Sequence, residues 1–229
     1  DLEPVKNICI RNNLYLIEDA AQSHGALYKG KNTNSFSDAI ATSFYPGKNL
    51  GCMGDGGAVL TNNDELAIKI KRLRNYGSDK KYYHREIGFN SRLDEIQASI
   101  LSIKLKYLND MNKKREKIAN FYLKNISNDN LILPKKLDHV DHVWHLFVIR
   151  SKHRDKIAQI LLENGIQTIV HYPIPPHRQE CYKNIKFKKL DLTNQICSEI
   201  ISLPLYPNMP ESHIEYIVEK VNAISNSKL

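Results

Sequence analysis

This sequence of 229 residues contains no apolar run approaching the ~20 residues that a membrane-spanning helix needs. It has four cysteines, Cys9, Cys52, Cys181 and Cys197. None forms a C-x-x-C pair and their spacings are wide. That pattern argues against a zinc site or a disulfide framework and for reduced thiols in a cytoplasmic setting. The opening Asp1-Leu2-Glu3-Pro4 lacks the basic and apolar regions of a secretory leader. Internal repeats and low-complexity tracts are absent. Acidic residues are outnumbered, 25 Asp+Glu against 33 Lys+Arg, for a net charge of +8. This permits an acidic partner, a nucleic acid or a phosphorylated substrate, without choosing between them. The basic residues are scattered and no recognition motif accompanies them, which argues against a dedicated nucleic-acid reader.

What is present is ordinary for a globular protein: 41% apolar and 25% charged residues, enough for a sizeable core. The length suits one large domain or two small ones. Residues 4–12 carry Val5, Ile8 and Cys9 at helical spacing. The run Leu14-Tyr15-Leu16-Ile17, ending in Glu18-Asp19, reads as a buried strand with acidic residues at its carboxyl end. Residues 38–45 and 57–61 read as further strands, and 64–74 as a helix with Leu66, Ile70 and Leu73 on one face. A long helix is expected from about Arg92 to Leu123, with Leu93, Ile96, Ile100 and Ile103 as its apolar face; residues 82–90 before it read as a loop.

Further on, Trp144–Ile149 and Ile166–Tyr172 read as strands. Ser151 is placed to cap a helix that stops at Gly165. A final helix over about 211–224 buries Ile214, Ile217, Val218, Val221 and Ile224. Residues 173–210 hold six of the nine prolines and read as ordered loops around one short helix. Strands alternating with helices predict an α/β layer architecture in two units joined by the long helix.

Three clusters could carry chemistry. In Asp19-Ala20-Ala21-Gln22-Ser23-His24-Gly25-Ala26, a carboxylate stands at the carboxyl end of a strand, where open α/β sheets contact ligands. The alternative is a carboxylate that only caps the next turn. In Ser43-Phe44-Tyr45-Pro46-Gly47-Lys48-Asn49-Leu50-Gly51, a strand ends in a Pro-Gly turn and one lysine follows. A lysine in a water-poor pocket loses its charge more easily and can condense with a carbonyl. Read alone, Lys48 could equally be an exposed lysine in a turn. Gly54-Asp55-Gly56-Gly57-Ala58 could cradle a phosphate on backbone N–H groups, but it matches neither G-x-G-x-x-G nor the Walker pattern, so a tight turn reads at least as well.

Taken together, EDAAQSHGA, SFYPGKNLG, GDGGAVLTN and GFNSRLDEIQA, then HVWHLFVIRS, HYPIPPHRQ and ISLPLYP, resemble in order the pyridoxal-phosphate-dependent sugar aminotransferases of the DegT/DnrJ/EryC1/StrS family. The resemblance spans essentially the whole chain. It implies an α/β, partial type I aminotransferase fold. Residues 1–110 would be the C-terminal part of the cofactor-binding large domain and 111–229 the small C-terminal α/β domain. Family members extend further at the N-terminus, so the resemblance implies a C-terminal portion that lacks a phosphate-binding loop.

The resemblance also implies roles. Lys48 would hold pyridoxal 5'-phosphate covalently and later move the proton. Asp19 would pair with the pyridine nitrogen and keep it protonated. Gln22 would lie against the ring or its hydroxyl, and Ser43 would donate to the phosphate. Asn90 would reach the phosphate of a neighbouring subunit, implying a homodimer with shared sites. His171, Tyr172 and His177, and more weakly Tyr82 and His84, would face substrate. The implied substrate is a nucleotide-linked keto-6-deoxyhexose, on dTDP, aminated at C3 with glutamate as donor. Two other readings stay open: a catalytically silent subunit that keeps the fold, and a sugar dehydratase. Dehydrating relatives carry histidine where Lys48 stands, which favours amino transfer.

Overall fold

A computed structural model describes residues 1–225 and 227. The chain divides into two compact units: residues 1–112 with 137–143, and residues 113–136 with 144–229. The segment 137–143 thus joins the first unit, although sequence order alone assigns it to the second.

The first unit opens with helix α1 (Leu2–Arg11) and strand β1 (Ile17–Asp19). Two short strands, β2 (Leu27–Tyr28) and β3 (Lys31–Asn32), form a tight hairpin. Strands β4 (Ala39–Ser43) and β5 (Gly57–Leu60) follow, then helix α2 (Asp64–Leu73). Asn63 caps α2 by accepting from the Leu66 N–H at 3.0 Å, satisfying one of the four donors that a helix start leaves open. The sheet order is β1-β4-β5. β1 runs parallel to β4 with Asp19 opposite Ala41, and β5 returns antiparallel with Gly57 opposite Ser43. Strands β6 (Ser78–Lys80) and β7 (Tyr83–His84) make a second hairpin, and β7 falls within the 82–90 segment expected to be a loop.

The expected buried strand is corrected by the structure. Leu14, Tyr15 and Ile17 are all exposed. β1 is an edge strand with a single neighbour, so one side of its ladder is uncovered.

The expected long helix is two helices, α3 (Glu95–Leu105) and α4 (Leu108–Asn125). The N–H groups of Lys106 and Tyr107 close back onto Ile103 and Lys104, at 3.2 and 3.0 Å. These three-residue closures tighten the turn and reset the helical phase. Leu101 and Leu108 therefore enter one cluster with Leu50 and Cys52, packed by Phe44 and Leu93. Ile96 and Ile103, expected on the apolar face, are exposed. Strand β8 (Val140–Asp141) pairs with β2, which is why 137–143 belongs to this unit.

The second unit takes α4 from Lys113 onward, strand β9 (Phe147–Arg150), helix α5 (Arg154–Glu163), helix α6 (Asp191–Glu199), strand β10 (Ile200–Leu203) and helix α7 (Glu211–Asn222). β9 and β10 pair antiparallel, Phe147 opposite Leu203. Both lie in one core with Tyr122, Trp144, Ile157, Leu161 and Val221, all essentially without solvent contact. The α7 positions expected inside are inside, because their spacing keeps them on one face.

Three expectations change here. Ser151 does not cap α5 directly: its hydroxyl accepts from the His153 N–H at 3.1 Å, one turn ahead of the helix. Residues 166–172 make no strand; only Ile169 bridges to Ser202. Pro173 follows with no N–H to offer a ladder, which limits pairing at that end. β10 lies inside the proline-rich stretch expected to be loop and helix only.

Candidate functional site

The parallel register of β1 and β4 brings two chemistries to one edge. Asp19 ends β1 and Ser43 ends β4, so both leave the sheet at its carboxyl end. Ligands of open α/β sheets gather at such an edge. Asp19 Oδ1 accepts from the Ala21 N–H at 3.0 Å, which turns the chain sharply after the strand. Gln22 follows in that turn and is exposed.

Beyond β4 the chain makes the turn that presents Lys48. Ser43 Oγ accepts from the Tyr45 N–H at 3.2 Å, and the Lys48 N–H donates to Tyr45 O at 2.9 Å. Gly51 closes this loop where no side chain fits: a Cβ would lie 2.7 Å from Tyr45 O and nearer still to Pro46 O. Lys104 of α3 donates to Gly51 O. Asn49, beside the lysine, donates to Asn112 Oδ1 and to Val143 O, both at 2.8 Å. Lys48 is therefore half-buried on a loop pinned at several backbone points.

One histidine that sequence reading passed over sits in this group. His24 Nε2 lies 2.8 Å from Thr42 Oγ1, and the imidazole stacks on Phe44 with centroids 6.1 Å apart. Burial lowers its pKa below the ordinary 6.5, and the positive charge of Lys48 lowers it further. His24 Nδ1 and Ser23 Oγ are buried without a hydrogen-bond partner. No local pattern singles out His24; it falls in place only when the β1 turn folds over β4.

Other expected site residues lie elsewhere. Asn90 bridges to Asn75, just after α2, and is exposed. Tyr82, also exposed, turns the β6–β7 hairpin with φ of +69° and carries Lys81 over its ring. His84 Nδ1 lies 2.9 Å from Tyr76 O. His171, Tyr172 and His177 belong to the second unit. His171 Nδ1 is 2.8 Å from the buried Ser202 hydroxyl, and His177 Nε2 is 2.9 Å from Asn194 Oδ1. Tyr172 is largely exposed.

The donors around Lys48 fit a phosphorylated pyridine aldehyde. A primary amine can condense with its carbonyl, a carboxylate can hold its ring nitrogen, and a hydroxyl can hold its phosphate. The Ser23 hydroxyl, buried without a partner, suits a polar ligand at the same edge. Among the described residues no cluster of His, Cys, Asp or Glu is arranged to hold a metal ion, and no helix is long and apolar enough to cross a membrane.

This fold is shared with solved pyridoxal-phosphate-type aminotransferases. The crystal structure of S. venezuelae DesV in complex with a ketimine intermediate superposes with a TM-score of 0.93 at 40% identity, covering 97% of this chain and 61% of that one. The structure of NtdA from Bacillus subtilis with bound cofactor PMP, the amino form of pyridoxal phosphate, gives 0.85 at 31% identity, over 96% of this chain and 52% of that one. The chain belongs to the DegT/DnrJ/EryC1/StrS aminotransferase family, whose model matches residues 1–222. Aminotransferases of this family depend on pyridoxal phosphate. The dTDP-3-amino-3,6-dideoxy-alpha-D-galactopyranose transaminase of Aneurinibacillus thermoaerophilus is 51% identical over 222 residues, 97% of this chain and 61% of that protein. The chain thus spans about three-fifths of the length of the curated relatives it matches.

Proposed function

We propose that this chain carries the cofactor-binding edge of a nucleotide-sugar aminotransferase. The reaction transfers an amino group from glutamate to C3 of a keto-6-deoxyhexose linked to dTDP. The observation that carries the reading is the placement of Lys48 on a pinned turn directly after β4, at the same sheet edge as Asp19 and Ser43. The Aneurinibacillus relative, a dTDP-3-amino-3,6-dideoxy-alpha-D-galactopyranose transaminase, supports the dTDP sugar and the 3-amino position.

Pyridoxal phosphate, when bound, supplies an electron sink for the carbon that loses its proton. Lys48 holds it through Nζ and, once released, carries the proton between carbons. The Asp19 carboxylate holds the ring nitrogen in its protonated form, since an opposite charge close by favours both ionised groups. Ser43 Oγ holds the phosphate, and Gln22 lies along the ring. In this reading the first unit is the C-terminal part of the large domain and the second unit the small domain, close to the 1–110 and 111–229 division except that 137–143 goes with the first. Asn90 reaches the phosphate in the second subunit of a homodimer. His171, Tyr172, His177, Tyr82 and His84 line the path of the sugar nucleotide. Four free cysteines fit a cytoplasmic setting.

The test is a titration of the 229-residue chain with pyridoxal phosphate, followed by borohydride reduction and peptide mapping. A single label on Lys48, lost in Lys48→Ala, is expected. Labels scattered over many lysines, or equal labelling of the variant, would overturn the assignment. Transfer of labelled nitrogen from glutamate to the dTDP sugar then tests donor and substrate.

A further inference from the structure

Thr42 sits one residue before Ser43 on β4, and its hydroxyl touches two groups of the β1 turn. It lies 3.2 Å from Ala20 O and 2.8 Å from His24 Nε2. A hydroxyl has one hydrogen. The carbonyl can only accept, whereas Nε2 accepts in one tautomer and donates in the other; both contacts are satisfied together only when that hydrogen goes to Ala20 O. The imidazole must then be the donor at Nε2, which leaves Nδ1 as the bare lone pair. Nδ1 is the atom found buried without a partner. The opposite tautomer would bury an N–H with nothing to receive it and would leave Ala20 O with only the Ser23 N–H, at 3.2 Å. A doubly protonated ring would add a buried charge beside Lys48. The main chain of the same residue is also held, since His24 O accepts from Asn112 Nδ2 at 2.8 Å.

We propose that His24 and Thr42 are a positioning pair. His24 Nε2–H donates to Thr42 Oγ1, which donates to Ala20 O, and this relay fixes the backbone that carries Asp19 against the strand that carries Ser43. Stacking on Phe44, one residue after Ser43, holds the imidazole in that orientation. The pair orders the cofactor-binding edge without touching the cofactor, and this purpose rests on the aminotransferase reading above.

Two measurements on the 229-residue chain test it. Long-range proton–nitrogen correlation NMR of the cofactor-free chain at neutral pH reads the tautomer. The neutral Nε2–H form of His24 is expected, with its Hε2 signal shifted in Thr42→Val. An Nδ1–H tautomer or a charged ring overturns the relay. Absorbance titration with pyridoxal phosphate reads the positioning. Thr42→Val and His24→Phe each weaken binding about tenfold, and the double variant is no weaker than either single one, because both cut the same relay. His24→Gln, which can restore a donor at the Nε2 position, recovers most of the affinity; a purely space-filling role would be served as well by His24→Phe. Unchanged affinity in the single variants, or losses that simply multiply in the double one, overturns the pair. If the wild-type chain never labels Lys48, the aminotransferase reading falls and the assigned purpose falls with it. The NMR result separates that outcome from failure of the relay itself.

Discussion

Asn49 Nδ2 lies 2.8 Å from Asn112 Oδ1, a bond between residues 63 positions apart. Asn112 in turn donates to His24 O. One side chain at the end of the first unit's share of α4 thus ties together the lysine turn and the turn after β1.

Asn112→Ala removes both bonds and leaves the Asn49 amide nitrogen with Val143 O as its remaining acceptor. About 1–3 kcal/mol of stability is expected to be lost, the usual cost of leaving buried polar groups unpaired. Labelling of Lys48 by pyridoxal phosphate falls with it. Asn112→Asp keeps the acceptor for Asn49 but loses the donor to His24 O. Chemical denaturation of both variants checks the order, wild type above Asp above Ala. Equal stability of all three would remove Asn112 from the account.

Gly51→Ala forces a methyl into the carbonyls of Tyr45 and Pro46. The contact is with backbone, which has no rotamer to retreat into. A loss of about 1–3 kcal/mol is expected, as for other overpacked sites. The lysine turn shifts, so cofactor labelling should drop more than the melting temperature alone accounts for. Borohydride trapping well below the melting transition separates the two effects.

Arg115 is buried in the second unit; Nη1 reaches the carbonyls of Trp144 and His145 at 3.3 Å and of Leu205 at 3.1 Å. Burial lowers its pKa. Arg115→Ala leaves three carbonyls short of a donor, and a loss of about 1–3 kcal/mol is expected. Arg115→Lys is expected to recover only part, since one ammonium cannot copy the planar fork. Urea melts monitored by Trp144 fluorescence read this directly, because Trp144 lies in the core of that unit.

Acid should destabilise the two units through different groups. The Glu199 carboxylate accepts from Gln195 Nε2 at 2.8 Å and from Arg150 Nη2 at 2.7 Å, and these hold its pKa below the ordinary 4.5. A depressed carboxylate stabilises the fold above its unfolded pKa, and that contribution disappears as pH falls through the folded value. Glu199→Gln should therefore flatten the loss below about pH 4.5 in thermal melts. His24 has a depressed pKa as well, so its unfolded form binds the proton first. Its penalty begins as pH drops below 6.5, and His24→Phe should erase that earlier phase. Identical acid profiles for wild type and both variants would contradict these assignments.

Much of the secondary structure was legible because periodicity is local. The α7 stripe follows from side-chain geometry within ten or so residues, and β4 and β5 stood out as short apolar runs. Lys48, Asp19 and Ser43 stood out through motif order, and the structure carries Asp19 and Ser43 to one sheet edge. Other features left no local trace. β2 and β3 are two residues each and exist only because β2 also pairs with β8, more than a hundred residues later. β10 was hidden among prolines because its partner is β9. The break between α3 and α4 has no proline or glycine to announce it; it is set by the need to seat Leu101 and Leu108 in one cluster.

By itself, then, the sequence determined where most helices and the strands β4, β5 and β9 lie and the chemical types at the Lys48 turn, because each depends on neighbours along the chain. Only the tertiary structure decided that β1 is an exposed edge, that 137–143 returns to the first unit, and that His24 Nε2 meets Thr42 Oγ1. Those outcomes depend on which groups are left to satisfy one another once water is excluded. No spacing along the chain encodes that selection.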